Sequence, residues 1–109
     1  MKATTRDVND IAIIKVDGKI TIGAGDQQLR DVIAGASSNK ILLDLSGVTT
    51  IDSSGIGELI ANYTTAGRSG GQLKLLSLTE KVQDLLVITK LLTVFDVYEK
   101  EAEALSSFK

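Results

Sequence analysis

The apolar run Ile41-Leu42-Leu43-Asp44-Leu45 is followed, a short stretch on, by Asp52-Ser53-Ser54-Gly55-Ile56-Gly57. Beyond that, Ile56, Leu59, Ile60 and Tyr63 recur at the i, i+3, i+4, i+7 spacing that lines one helix face. Residues 41–45 are apolar enough to lie in the middle of a sheet, covered on both sides. A buried strand that passes into an amphipathic helix needs a crossover to a parallel neighbour. This handover points to the α/β class.

The rest of the chain repeats the alternation. Residues 11–16 are β-branched and apolar apart from Lys15, which suits a buried strand. A fainter strand over residues 3–7 would precede it, with Asn9-Asp10 turning a hairpin. Asp17-Gly18 signals a further turn, and residues 20–22 a short extension. Leu29, Val32, Ile33 and Ala36 trace a helix face, with Asp26 as its expected N-cap. The helix after Ser53 should run to about Ala66 and break at Arg68-Ser69-Gly70-Gly71. Residues 72–76 form the next strand. Ser77 and Glu80 have capping-box spacing ahead of a helix carrying Val82, Leu85, Leu86 and Thr89. Residues 94–98 read as a last strand, and residues 99–108 as a terminal helix with Ala102, Leu105 and Phe108 on one side. The expected fold is one domain over residues 1–109, with a mixed, mostly parallel central sheet and helices packed mainly on one side.

Composition narrows the chemistry. With 109 residues, 43% of them hydrophobic and 4% aromatic, one core must be filled by Ile, Leu and Val. The net charge of −2 and the scattered Lys and Arg argue against direct nucleic-acid binding, which needs a basic face. The absence of cysteine excludes disulfides and thiolate metal sites, and the absence of histidine removes the usual general base. No apolar run reaches the ~20 residues of a membrane span, and no leader pattern is present. A soluble, cytoplasmic protein without metal or cofactor is the expectation.

The strand-to-helix junction at Ser53 offers free backbone N–H groups and the positive end of a helix dipole. A hydroxyl there is well placed to carry a phosphate or meet an anion. Helix capping alone is one account of Asp52, Ser53 and Ser54. Gly55 and Gly57 ask for more, because glycine inside a helix costs ~1 kcal/mol relative to alanine. Small residues at that point would let a partner approach closely. A nucleophilic serine is a third account, but it needs a base, and a carboxylate of ordinary pKa serves poorly. Gly23-Ala24-Gly25 lacks the remaining elements of a phosphate loop and reads as a flexible turn. Asp26, Asp44 and Asp52 match no magnesium loop. The segment from Leu85 to Val94 is more apolar than one helix face requires; it either closes the core or leaves a surface for a partner.

The motif and the element order together resemble the STAS domain, in particular its stand-alone bacterial anti-sigma-factor antagonists. The resemblance spans nearly the whole chain. It is most specific over Asp44-Leu45-Ser46-Gly47-Val48-Thr49-Thr50-Ile51-Asp52-Ser53-Ser54-Gly55-Ile56-Gly57 and continues in Gly70-Gly71-Gln72-Leu73-Lys74-Leu75. It implies that Ser53 is phosphorylated by a partner kinase, an anti-sigma factor with a histidine-kinase-like ATPase fold. It also implies that a PP2C-type phosphatase restores the serine, and that the unmodified antagonist binds the anti-sigma factor and frees a sigma factor. Asp52, Ser54, Gly55, Gly57, Glu58, Asn62 and Thr21 are the expected partner contacts. The family often has Gly-Glu-Leu-Asp where this chain has Gly18-Lys19-Ile20-Thr21, so Thr21 replaces an acidic residue near Ser53. The resemblance implies a regulator, not an enzyme. A constitutive STAS adaptor on a transporter or signalling complex is the alternative.

Overall fold

A computed structural model describes residues 1–108. The elements are β1 Lys2–Val8, β2 Ile11–Ile20, α1 Gly25–Ala34, β3 Lys40–Ile51, α2 Ser53–Arg68, β4 Gln72–Leu76, α3 Glu80–Ile88, β5 Val97–Tyr98 and α4 Glu101–Ser107. The strands lie side by side in the order β1-β2-β3-β4-β5. β1 runs antiparallel to β2, and every later pairing is parallel. The opening hairpin closes at Asn9 and Asp10, both at positive φ (49° and 64°). Asn and Asp tolerate that region better than other side chains, and two such residues in a row fit a tight hairpin.

The sheet explains the strand patterns. Leu43 pairs with Ile14 on one side and Leu75 on the other, and is fully buried. Ala12, Ile14, Val16, Ile41, Leu43 and Leu45 point to one face and pack with Leu29 of α1, Ile56 and Leu59 of α2, and Val82 and Leu86 of α3. Ile11, Ile13, Leu42 and Leu76 point to the other face and pack with Ala104 of α4. Three helices thus cover one face and α4 alone covers the second. This accounts for a β3 apolar on both sides.

Several elements depart from the sequence expectations. β2 does not stop at Asp17-Gly18; it continues to Ile20 through a register shift with Gly18 at φ +100°. β3 runs on to Ile51, well past the Lys40–Asp44 stretch that pairs with β4. α1 is not capped by Asp26. Its N-cap is Ala24, and Asp26 lies in the first turn, where its carboxylate accepts from the Gln27 N–H at 2.8 Å. The Ser77–Glu80 capping box does not form either. Ser77 sits at φ +56°, and Thr79 caps α3 by accepting from the Val82 N–H. The last strand shrinks to Val97–Tyr98, because Leu91 and Leu92 turn back to the Leu86 carbonyl and Phe95 is buried edge-to-face against Tyr63. On α4 the buried residue is Ala104 rather than Ala102.

One charged side chain lies in the second face. Lys74 of β4 is 5% exposed. Its ammonium donates to the Ser107 carbonyl at 3.1 Å and hydroxyl at 2.9 Å, and sits over the rings of Phe108 and Tyr98. A cation at a helix C-terminus meets the negative end of the dipole, and the two rings add cation–π attraction. Lys74 therefore clasps the end of α4 to the sheet.

Candidate functional site

The site forms where the ends of β2 and β3 meet the first turn of α2. Asp52 is the N-cap of α2, at extended φ and ψ (−113°, −173°). One carboxylate oxygen accepts from the Gly55 N–H at 3.0 Å, the usual capping bond. The other accepts from the Ile22 N–H at 2.9 Å, in the loop that joins β2 to α1. One side chain therefore ties two loops together. The N–H of Ile22, and after it that of Gly55, hold the Asp52 carboxyl below its ordinary pKa, because both bonds favour the charged form. Such a carboxylate is a still weaker base toward a neighbouring hydroxyl.

Ser53 is the first residue of α2 and is exposed. Ser54 beside it is half-buried. The two glycines have different surroundings. A Cβ on Gly57 would meet nothing within 4 Å, so this point of the helix is open. A Cβ on Gly55 would lie 2.2 Å from the Ile20 carbonyl oxygen, and Gly55 is buried. Gly55 is needed so that α2 can start hard against the end of β2. It does not lie bare to solvent as the motif suggested. Gly25 plays the same part at the start of α1, 2.1 Å by the same measure from the Lys19 carbonyl oxygen, so Gly23-Ala24-Gly25 is more than a flexible turn.

Thr21, half-buried, follows the end of β2, and its carbonyl accepts from the Asp26 N–H at 3.0 Å. Glu58 and Asn62 lie one turn apart on α2. Glu58 pairs with Arg30 of α1 at 2.5 Å, and the Asn62 side-chain amide donates to the Glu58 carbonyl at 2.7 Å. Glu58 is thus engaged within the domain, bracing α1 against α2. Arg30 and Ile22 were missed by sequence reasoning. Arg30 carries no signal beyond being one cation on a helix surface. Ile22 does carry one: an apolar residue placed just before Gly23-Ala24-Gly25, where a loop normally turns polar. Asp26 and Asp44 are separately engaged by local backbone N–H groups, Asp44 by that of Ser46 at 3.0 Å.

Residues 2–104 match the STAS domain family. The chain belongs to the STAS domain family. Among its relatives, it is 24% identical over 102 residues to the "Anti-sigma F factor antagonist" of Paenibacillus polymyxa, covering 91% of this chain and 87% of that protein. The crystal structure of TM1081 from Thermotoga maritima superposes with a TM-score of 0.83 at 28% identity, covering 96% of this chain and 92% of that one. The Bacillus cell fate determinant SpoIIAA in its phosphorylated form superposes with a TM-score of 0.74 at 18% identity, covering 97% and 98%. This last likeness is one of fold. Among the described residues, no helix of this STAS domain is long and apolar enough to cross a membrane.

Proposed function

We propose that this STAS domain is an anti-sigma-factor antagonist whose hold on its partner is switched by phosphorylation of Ser53. The observation that carries this is the placing of an exposed serine as the first residue of α2, directly after a carboxylate whose two oxygens are both occupied. The relative named as an anti-sigma F factor antagonist supports the partner class. The partner is an anti-sigma factor that is also a serine kinase of histidine-kinase-like ATPase fold, and a PP2C-type phosphatase reverses the reaction. The contact surface takes in Asp52, Ser54, Gly57, Glu58, Asn62 and Thr21, with Gly55 supporting it from inside. A phosphoserine adds about −1.5 to −2 charges at neutral pH. Beside Asp52, that charge would have to be desolvated together with a like charge when the partner docks. The α2 N–H groups stabilise the phosphate in place. The cost therefore falls on binding rather than on the fold.

The domain acts by binding and not by turnover. No histidine is present, and the Asp52 carboxyl is held low, so neither offers Ser53 a good base. The test is mass spectrometry after incubation with the cognate kinase and ATP, followed by titration of both forms against the anti-sigma factor. Phosphate is expected on Ser53, and none on Ser53→Ala, which still binds. Ser53→Asp should bind more weakly than wild type but better than the phosphorylated form. The expected coupling between modification and binding is about 1–3 kcal/mol. Phosphate on Ser54 alone would move the switch by one residue. Equal affinity of both forms would sink the switch and leave a constitutive adaptor.

A further inference from the structure

We infer that Ile22 is an apolar anchor which the anti-sigma factor buries as it docks over the start of α2. The inference rests on the antagonist reading above and adds a residue and a partner chemistry to it. Ile22 is 74% exposed. A single surface isoleucine is unremarkable by itself. This one differs in how it is held. Its N–H is fixed by the Asp52 carboxylate at 2.9 Å, and the preceding Thr21 carbonyl is fixed by the Asp26 N–H at 3.0 Å. Gly23 follows at φ +92°, and Gly23 and Ala24 are both exposed, so no neighbouring side chain of bulk shields the knob. A β-branched side chain on a pinned backbone has little freedom left to lose on binding.

The position of the knob gives its occupant. Ile22 hangs from the same carboxylate that caps α2 and immediately precedes Ser53. A partner that reads Ser53 therefore closes over Ile22 as well. The chemistry required of that partner is an apolar pocket sized for a branched aliphatic side chain, next to the surface that meets the serine hydroxyl. Burial of Ile22 would supply affinity to the unmodified form. Phosphate on Ser53 would then have to be desolvated at the edge of that same apolar contact, which sharpens the switch. The other strongly exposed apolar residues, Val87, Ile88 and Val94, belong to the end of α3 and the chain beyond it, and no hydrogen bond ties them to Asp52.

The experiment is calorimetric titration of wild type, Ile22→Val, Ile22→Ala, Ile22→Asp, Gly57→Leu and Ile88→Ala against the purified cognate anti-sigma factor, with thermal unfolding of each variant. Ile22→Ala should weaken binding by about tenfold or more, as truncating a central anchor does. Ile22→Val should lose much less, and Ile22→Asp should bind worst. The negative heat-capacity change of binding should shrink in Ile22→Ala, since less apolar surface is buried. Unfolding midpoints of the Ile22 variants should match wild type. Ile22→Ala and Ile22→Asp binding as wild type while Gly57→Leu weakens would overturn the anchor and leave the antagonist reading standing. A loss in Ile88→Ala but not in Ile22→Ala would place the anchor on α3 and likewise overturn it. Absence of binding by wild type would overturn the antagonist reading, and the anchor with it.

Discussion

The starts of α1 and α2 are built on the same plan and end up with different surfaces. Each helix follows a strand, and each carries in its first turn a glycine pressed against a carbonyl at the end of β2, Gly25 on Lys19 and Gly55 on Ile20. At α1 the N-cap is Ala24, which makes no side-chain capping bond, and the first turn buries Gly25 and Asp26. At α2 the N-cap is Asp52, its carboxylate bonds both its own helix and the neighbouring loop, and the first helical residue is an exposed serine. The glycine sets how closely a helix packs on the strand. The carboxylate and the outward hydroxyl make one of the two starts a candidate site. A free helix N-terminus is common to both and does not distinguish them.

That contrast is open to measurement. Leu43 serves the core beneath both helices, so Leu43→Ala should cost most, about 2–5 kcal/mol by chemical denaturation. Gly25→Ala and Gly55→Ala should each cost roughly 1–3 kcal/mol, because the added methyl meets backbone that cannot swing away. A neutral Gly55→Ala would break the claim that the two starts share a packing requirement. Next in size is Asp52→Ala, which removes two bonds and should lower the unfolding midpoint more than Asp26→Ala, whose carboxylate accepts from Gln27.

The Asp52 effect has a sign in pH. Its folded pKa is depressed, so its contribution is full above the ordinary value of 3.8 and is lost as pH falls through the folded value. The gap in midpoint between wild type and Asp52→Ala should therefore close on acidification below that value, and a gap constant with pH would show that its charge is not what matters. Smallest is Gly57→Ala. That position is open, so the change should be neutral or stabilising by up to about 1 kcal/mol.

Periodicity carried much of this fold. The β3 and α2 patterns were readable because their apolar positions lie in the core: Leu43 within the sheet, and Ile56 and Leu59 against it. Local signals failed where tertiary contact overrode them. Asp26 and Ser77 have good capping chemistry, yet α1 starts earlier because Gly25 must reach β2, and Ser77 is held at positive φ beside β5, its N–H donating to the Tyr98 carbonyl. Val94 to Tyr98 has strand propensity, but only Val97 and Tyr98 find a partner strand. At the site, the Asp-Ser-Ser-Gly motif was legible, and so was the open Gly57. The Asp52–Ile22 bond and the Arg30–Glu58 pair were not, since each joins residues about thirty positions apart and nothing in either local pattern announces the other.

Lys74 has a consequence for the docking of α4. α4 follows every strand of the sheet in sequence, so until it docks the second face, with Ile11, Ile13, Leu42 and Leu76, lacks its cover. A half-made sheet with an apolar face invites stacking on another copy, and a charge set within such a surface opposes it. Until α4 docks, Lys74 would therefore guard a sticky surface. Once Ser107 and Phe108 arrive, the same ammonium becomes the fastening that closes it.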